Sequence, residues 1–299
     1  MNRLVFGTAI DGHTQWVALL GYPVKHSFSP AMHNAAFERL GLNWRYSAHA
    51  VKPEDLGKAV AGLAALGYRG ANVTVPHKEQ VVSLLDRVDP SAKRLGAVNT
   101  IVMAGDGKTV GYNTDGIGFL HGLRQDGFAV AGAAALLLGS GGAARAVAFA
   151  LLDGGVRSLV VVNRTPEKAE ALLDALRRSG AAEGAALRAG RWEEAFLREC
   201  AKEVDLVVNA TASGMGKGEG SIAYPLSPKR WLSPGPFVCD LVYHPPETEL
   251  LSVARSLGCR CQNGLPMLLH QGAAAFALWT GQEPPLTVMA EALRQANGG

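Results

Sequence analysis

Hydrophobic positions change their period repeatedly along this chain. Residues 16–21, WVALLG, form an apolar run of strand length, and helical spacing follows from about Pro30 to Leu40. WRYSAHAV (44–51) returns to strand character, and PEDLGKAVAGLAAL (53–66) reads as a helix with Pro53 in its first turn. GANVTV (70–75) is a third strand. Val73 and Val75 point to one side and tie it to the core, while Asn72 and Thr74 point to the other. Pro76 ends that ladder, and a helix is expected to open at His77 and Lys78. Residues 96–113 differ, because two strand-like runs flank GDGK, a hairpin signal.

A helix is expected after Asp115, and a second α/β series starts at AAALLLGSGGAARAVAFALLDGG (133–155). Further strands are expected at SLVVVN (158–163), VDLVVN (204–209) and FVCDLVY (237–243). From Leu265 onward the pattern is two helices with almost no strand material. In the first of these, Leu265, Leu268, Leu269, Phe276 and Trp279 form a stripe, and Met267, Ala274 and Leu278 make much of the other side apolar. That helix is expected to be buried over most of its surface. Two such series predict an α/β fold of two domains, mostly parallel sheets, and a ligand-binding cleft between them. GMGKGEGS (214–221) reads as a flexible loop.

Composition narrows the function classes. With 48% hydrophobic residues the chain can bury a real core, and its net charge of +3 is not gathered into a block. That balance suits a small anionic ligand and argues against a nucleic-acid partner. The N-terminal MNRLVFGTAIDG lacks the pattern of a signal peptide, and no apolar run is suited to span a bilayer. Cys200, Cys239, Cys259 and Cys261 form no CxxC pair, and Cys259 and Cys261 share one face of a strand in this reading. Free thiols in a reducing cytoplasm are expected. The eight histidines show no metal-ligating spacing, so no metal is expected.

Gly139, Gly141 and Ala144 fit G-x-G-x-x-A between an apolar strand and a helix. Glycines at that spacing let backbone N–H groups approach a pyrophosphate at the helix N-terminus. At the end of the next strand, where an NAD site usually places a carboxylate, stand Asn163 and Arg164, with Lys168 one turn on. A guanidinium there grips a 2′-phosphate, which points to NADP(H).

Polar residues outside that unit suit a small hydroxylated substrate. In HSFSP, Ser27 and Ser29 face the same way if the segment is extended, although Ser29 before Pro30 is equally a helix N-cap. Asn72 and Thr74 share a face, and Asn99 stands in a strand, where Asn is disfavoured. Gln271 sits in apolar surroundings and needs a partner, either a ligand or the backbone. Lys78 can stabilise the oxygen that becomes negative when a nicotinamide delivers hydride to a carbonyl. Asp115 can orient that ammonium, though Thr114 or Asp115 can also cap the following helix, and Lys78 can be a solvated residue. Whether Lys78 donates the proton or only steadies charge stays open at this level.

These segments together resemble the shikimate dehydrogenase family. The resemblance runs from GYPVKHSFSPAMHNAAF through NVTVPHK, GAVNT, GYNTDG, GSGGAARA, NRT and NATASGM to DLVYHPPETELL and GLPMLLHQGAAAFALW. It implies NADPH-dependent reduction of 3-dehydroshikimate to shikimate in aromatic amino-acid biosynthesis, with Lys78 and Asp115 as the catalytic pair. By motif it places substrate on Ser27, Ser29, Asn72, Thr74 and Asn99, and also on Tyr243 and Gln271. It places the cofactor on Gly139, Ser140, Gly141, Gly142 and Ala143, on Asn163, Arg164, Thr165 and Lys168, and on Thr211, Leu241 and Gly264. It also implies a substrate domain at 1–114, a Rossmann-type NADP domain at 115–264, and C-terminal helices, 265–299, that return to the substrate domain. Ser140 stands where the family loop often has alanine, and the loop after Met215 is peculiar to this chain. Quinate or aminoshikimate oxidation on the same scaffold and a non-catalytic NADP-binding regulator are the rivals; Arg164 argues against the first in its NAD-preferring form. A monomer and a homodimer are both compatible with the sequence.

Overall fold

The computed structural model describes residues 10–216 and 222–298. The N-terminal segment up to residue 9 and most of the loop expected at 214–221 therefore lie outside the described residues. The chain divides into two compact units, one running to Thr114 and resuming at Leu269, the other spanning Asp115–Leu268.

The first unit begins β1 (Gln15–Gly21), α1 (Ser29–Arg39), β2 (Trp44–Ala50), α2 (Leu56–Ala65), β3 (Gly70–Val73) and β4 (Arg87–Val88). It continues with α3 (Pro90–Leu95), β5 (Thr100–Met103) and β6 (Thr109–Tyr112). Its six strands lie in the order β2-β1-β3-β5-β6-β4. β1 is parallel to β2 and β3; β5 runs antiparallel to β3 and also to β6, the latter as the GDGK hairpin requires.

The second unit holds α4 (Asp115–Gln125), β7 (Ala134–Leu138), α5 (Gly142–Asp153), β8 (Ser158–Val162), α6 (Pro166–Arg178) and β9 (Ala186–Gly190). α7 (Glu194–Glu203), β10 (Leu206–Asn209), β11 (Phe237–Asp240), α8 (Glu249–Ser256) and β12 (Cys261–Gln262) follow. All five pairings in the order β12-β11-β10-β7-β8-β9 are parallel. α9 (Leu265–Thr280) crosses the unit boundary, and α10 (Leu286–Ala296) ends the described chain by packing on α1.

Side-chain alternation gives the first sheet two different faces. Ala18, Leu20, Ala71, Val73 and Ile101 face one core with Leu56, Val60 and Leu63 of α2. By the period of two, Tyr46, Asn72 and Thr100 lie on the opposite face, in register across the strands: Tyr46 pairs with Val17, Asn72 with Leu19, and Thr100 with Asn72. On that face stand aromatic rings of α1 and α9: Phe37 lies 5.3 Å from Phe276, and Tyr46 lies 6.1 Å from Trp279. Trp279 also donates its indole N–H to the Ile101 carbonyl at 2.9 Å. The second unit has its own core, in which Leu136, Leu138 and Val207 pack with Leu250, Leu251 and the fully enclosed Trp231.

Several elements differ from the pattern-based expectation. β3 stops at Val73, Val75 is 67% exposed instead of anchoring the core, and Lys78 lies in a turn that leads to a 3-10 segment (Gln80–Leu84) in place of an α-helix. The helix expected at 53 begins as a 3-10 turn (Pro53–Asp55) before α2. β4 and β12, two residues each, escaped the pattern, because a period of two cannot be read from two positions. β11 ends at Asp240, which leaves Leu241 to Tyr243 beyond it. Cys259 precedes β12 and does not share a strand with Cys261; all four cysteines are free thiols. α9 follows its expectation: Leu278 is 38% exposed, and every other residue of the helix is buried or half-buried.

The edge strand β2 is protected by α1. Asn34 accepts from the Tyr46 N–H at 2.8 Å and donates to the Tyr46 carbonyl at 3.0 Å, taking over a ladder position that no strand occupies. Asn34→Leu should lower stability by about 1–3 kcal/mol in urea titrations, since both backbone groups lose a partner. An unchanged midpoint would show that these bonds contribute nothing.

Candidate active site

The register of β3, β5 and β6 brings the polar groups of the first unit to one sheet edge. Asn72 pairs with Thr100, and Thr100 pairs with Tyr112, so the end of β3, the start of β5 and the end of β6 coincide. Asn99 stands just before β5; its N–H donates to the Tyr112 carbonyl, and its own carbonyl accepts from Val73. Thr74 follows β3 with its N–H on the Leu20 carbonyl. The Lys78 carbonyl accepts from Val98 N–H at 2.8 Å, which fixes the lysine backbone next to Asn99. His77, fully buried, bonds the Val51 carbonyl through Nε2 at 2.7 Å and anchors the same turn.

Side chains at that edge form one connected row. Asn72 Nδ2 donates to Thr100 Oγ1 at 3.1 Å and to the Asn99 carbonyl at 3.2 Å. Thr100 Oγ1 donates to Asn99 Oδ1 at 2.9 Å, and that oxygen also accepts the Thr114 N–H at 2.8 Å. Asn99 Nδ2 donates to Thr114 Oγ1 at 3.0 Å and reaches Gln271 Oε1 at 3.4 Å. Gln271 thus has a side-chain partner from the first unit, and Thr114 turns its hydroxyl toward Asn99. Asp115, next in the chain and 4% exposed, is the first residue of α4.

Ser27 and Ser29 do not lie in an extended stretch. The Ser27 N–H donates to the Val24 carbonyl, and Ser27 Oγ accepts from the Ser29 N–H at 3.3 Å. Ser29 is already helical, Phe28 holds the cap position, and no side-chain hydrogen bond caps α1. The N-cap reading of Ser29 is therefore corrected.

In the second unit, Gly139 opens the turn after β7 with φ +110°, a region that L side chains rarely adopt. A Cβ there would also sit 3.0 Å from Thr211 Cγ2. Gly141 has extended backbone at the N-cap of α5, with open space around its Cα. Ser140, Gly142 and Ala143 complete this strand–turn–helix. Asn163, after β8, turns its Nδ2 onto the Thr165 carbonyl at 3.0 Å, and Thr165 occupies the N-cap position of α6. Arg164 and Lys168 are exposed, and among the described residues no carboxylate pairs with either. Two unpaired cations beside an open helix N-terminus fit a phosphorylated ribose. Gly264 is a second close approach: a Cβ would overlap the Leu241 carbonyl. Tyr243 is half-buried, and burial raises its phenol pKa.

Asp240, which the sequence reading passed over, organises these segments. Its carboxylate is fully buried and accepts from Asn209 Nδ2 at 2.8 Å, Tyr224 at 3.0 Å, Thr248 at 2.7 Å and the Val242 N–H at 3.0 Å. Burial pushes its pKa up to about 6, against the opposing pull of those bonds, led by Thr248. Asn209 Oδ1 in turn takes both the N–H and the hydroxyl of Thr211, at 3.1 and 2.7 Å. Thr100 was also missed. Threonine is an ordinary strand residue, and nothing in the sequence marks it as a relay.

Comparisons with known proteins place the chain in a family. Three family models match: the shikimate dehydrogenase substrate binding domain at residues 19–101, shikimate/quinate 5-dehydrogenase at 123–216, and the shikimate 5′-dehydrogenase C-terminal domain at 264–294. Shikimate dehydrogenase (NADP(+)) of Moorella thermoacetica is 54% identical, with 97% of this chain and 96% of that protein covered. A shikimate dehydrogenase solved with NADP+ superposes with a TM-score of 0.87 at 41% identity, covering 97% of this chain and 98% of that one. The Thermus thermophilus enzyme, solved with NADP(H) and shikimate, gives 0.82 at 42% identity over 95% of this chain and all of that one. With matches of this identity over nearly its whole length, the chain belongs to the shikimate dehydrogenase family.

Proposed function

We propose that this chain catalyses the reversible, NADPH-dependent reduction of 3-dehydroshikimate to shikimate, with its first unit holding the substrate and its second the cofactor. The observation that carries the substrate side is the connected row Asn72–Thr100–Asn99–Gln271. It presents amides and hydroxyls that are fixed in orientation, as recognition of a ring with several hydroxyls requires. Ser27, Ser29 and Thr74 extend that set on the first unit, and Tyr243 is the second unit's candidate for substrate contact. The four free thiols suit a reducing cytoplasm.

The nicotinamide, when bound, supplies hydride to the substrate carbonyl carbon and recovers it in the reverse direction. The turn at 139–143 offers backbone N–H groups at the start of α5 for its pyrophosphate. Arg164, with Lys168 and Thr165, grips the 2′-phosphate beyond β8, and Asn163 holds that turn. Thr211, Leu241 and Gly264 complete the cofactor-binding set. Lys78 holds its ammonium against the carbonyl oxygen, stabilises the developing negative charge and delivers the proton that completes the alcohol. Asp115 orients that ammonium.

Following nicotinamide absorbance with shikimate and quinate, each with NADP and NAD, should give turnover chiefly with shikimate and NADP. Turnover with quinate and NAD alone would sink the proposal, and none with any pair would favour a non-catalytic NADP-binding regulator. In the same assay Arg164→Ala should raise KM for NADP by about 10- to 100-fold and leave NAD nearly unaffected. Equal losses would refute the 2′-phosphate role. Lys78→Ala should lower kcat by about 100- to 10,000-fold with little change in KM for shikimate. A large rise in KM with kcat intact would make Lys78 a binding residue only.

A further inference from the structure

Tyr46 begins the polar row and lies outside every motif that points to the site. It is 4% exposed, and its hydroxyl donates to Asn72 Oδ1 at 2.9 Å. The bond is built from three sides. Asn34 of α1 holds the Tyr46 backbone through both its N–H and its carbonyl. The His33 ring stacks flat on the Tyr46 ring, with centroids 4.5 Å apart and planes within 7°. Trp279 leans on the ring from α9. His33 is fully buried among these aromatics, and burial lowers its pKa to about 3, so the stacked imidazole is neutral.

An amide side chain has two nearly isosteric ends, and only its partners decide which end is which. Both hydrogens of Asn72 Nδ2 are directed within the row, to Thr100 Oγ1 and to the Asn99 carbonyl. The opposite end must then be an acceptor, and Tyr46 enforces this by presenting an O–H to it. From there the donor direction runs one way, from Tyr46 to Asn72, to Thr100, to Asn99 Oδ1. We propose that Tyr46 is a positioning residue for the substrate site, which pins the Asn72 amide so that its remaining capacity is one oxygen lone pair that accepts from a ring hydroxyl. Asn72 thereby selects a hydroxyl donor at its position and discriminates against a carbonyl or carboxylate oxygen there. The inference rests on the proposed role of Asn72 in substrate binding.

The test is a double-mutant cycle on the full chain, with Tyr46→Phe, Asn72→Ala and the two combined, reading kcat, both KM values and thermal stability. Phenylalanine keeps the ring on His33 and removes only the hydroxyl, so the variant retains its fold. Tyr46→Phe should raise KM for shikimate by about 5- to 30-fold, with KM for NADP within about twofold of the parent. The double variant should be no worse than Asn72→Ala alone, because the hydroxyl acts through that amide. If Asn72→Ala raises KM for shikimate and Tyr46→Phe does not, the positioning role is wrong while the substrate site stands. Additive losses would likewise overturn it, since Tyr46 would then act independently of Asn72. No effect of Asn72→Ala on KM for shikimate would instead remove the site assignment on which the inference rests.

Discussion

A buried amide must find partners for its oxygen and for both of its hydrogens, and Asn99 is where that demand shapes the substrate-side unit. It is 2% exposed, and its side chain bonds Thr100, Thr114 and Gln271. Those partners come from β5, from the β6–α4 junction and from α9, elements up to 172 residues apart in sequence. Leaving such a group unsatisfied costs about 1–3 kcal/mol, comparable to a large share of a domain's net stability. The C-terminal helices are therefore held to the first unit by polar contacts at the site as well as by the aromatic cluster of Phe37, Phe276 and Trp279. The groups proposed to bind the substrate are thus also groups that hold the fold together.

The cofactor-side unit solves a parallel problem with a charge in place of an amide. Asp240 sits at the end of β11, and its four donors come from β10, from the loop after Leu241, from Tyr224 and from the N-cap of α8. Through Asn209 it reaches Thr211, which lies against Gly139. The glycine turn is thereby tied to a second loop by packing, and that loop is tied to a buried carboxylate by hydrogen bonds. A carboxylate in this setting keeps its charge only because four donors converge on it.

Much of this was legible in the sequence, for reasons particular residues make clear. Gly139 declares itself because backbone geometry at that turn admits little else, and Gly141 by its spacing from it. Arg164 stands out because it occupies the place of an expected carboxylate. The strands of the two cores show as apolar runs long enough to carry a period. Other features left no trace. Thr100 and Tyr46 are ordinary strand residues by composition, and only register places them beside Asn72. Asp240 falls inside the apolar run FVCDLVY, where nothing local marks it as the centre of a network. Val75 continues the strand alternation in sequence yet lies exposed, because the ladder has already ended at Val73. Contacts across sequence distance, and strand ends set by a turn, are tertiary facts that local pattern does not encode.

The central claim is that the polar row is one connected unit that binds the substrate ring. Thr100, fully buried, is its relay, because it accepts from Asn72 and donates to Asn99. Calorimetric titration of Thr100→Val with shikimate and, separately, with NADP+ tests that claim most directly. Shikimate affinity should fall by about tenfold or more while NADP+ affinity is unchanged, since the loss of one buried hydroxyl takes one partner from each neighbour and breaks the row between them. Unaltered shikimate affinity in a folded Thr100→Val protein would contradict the account.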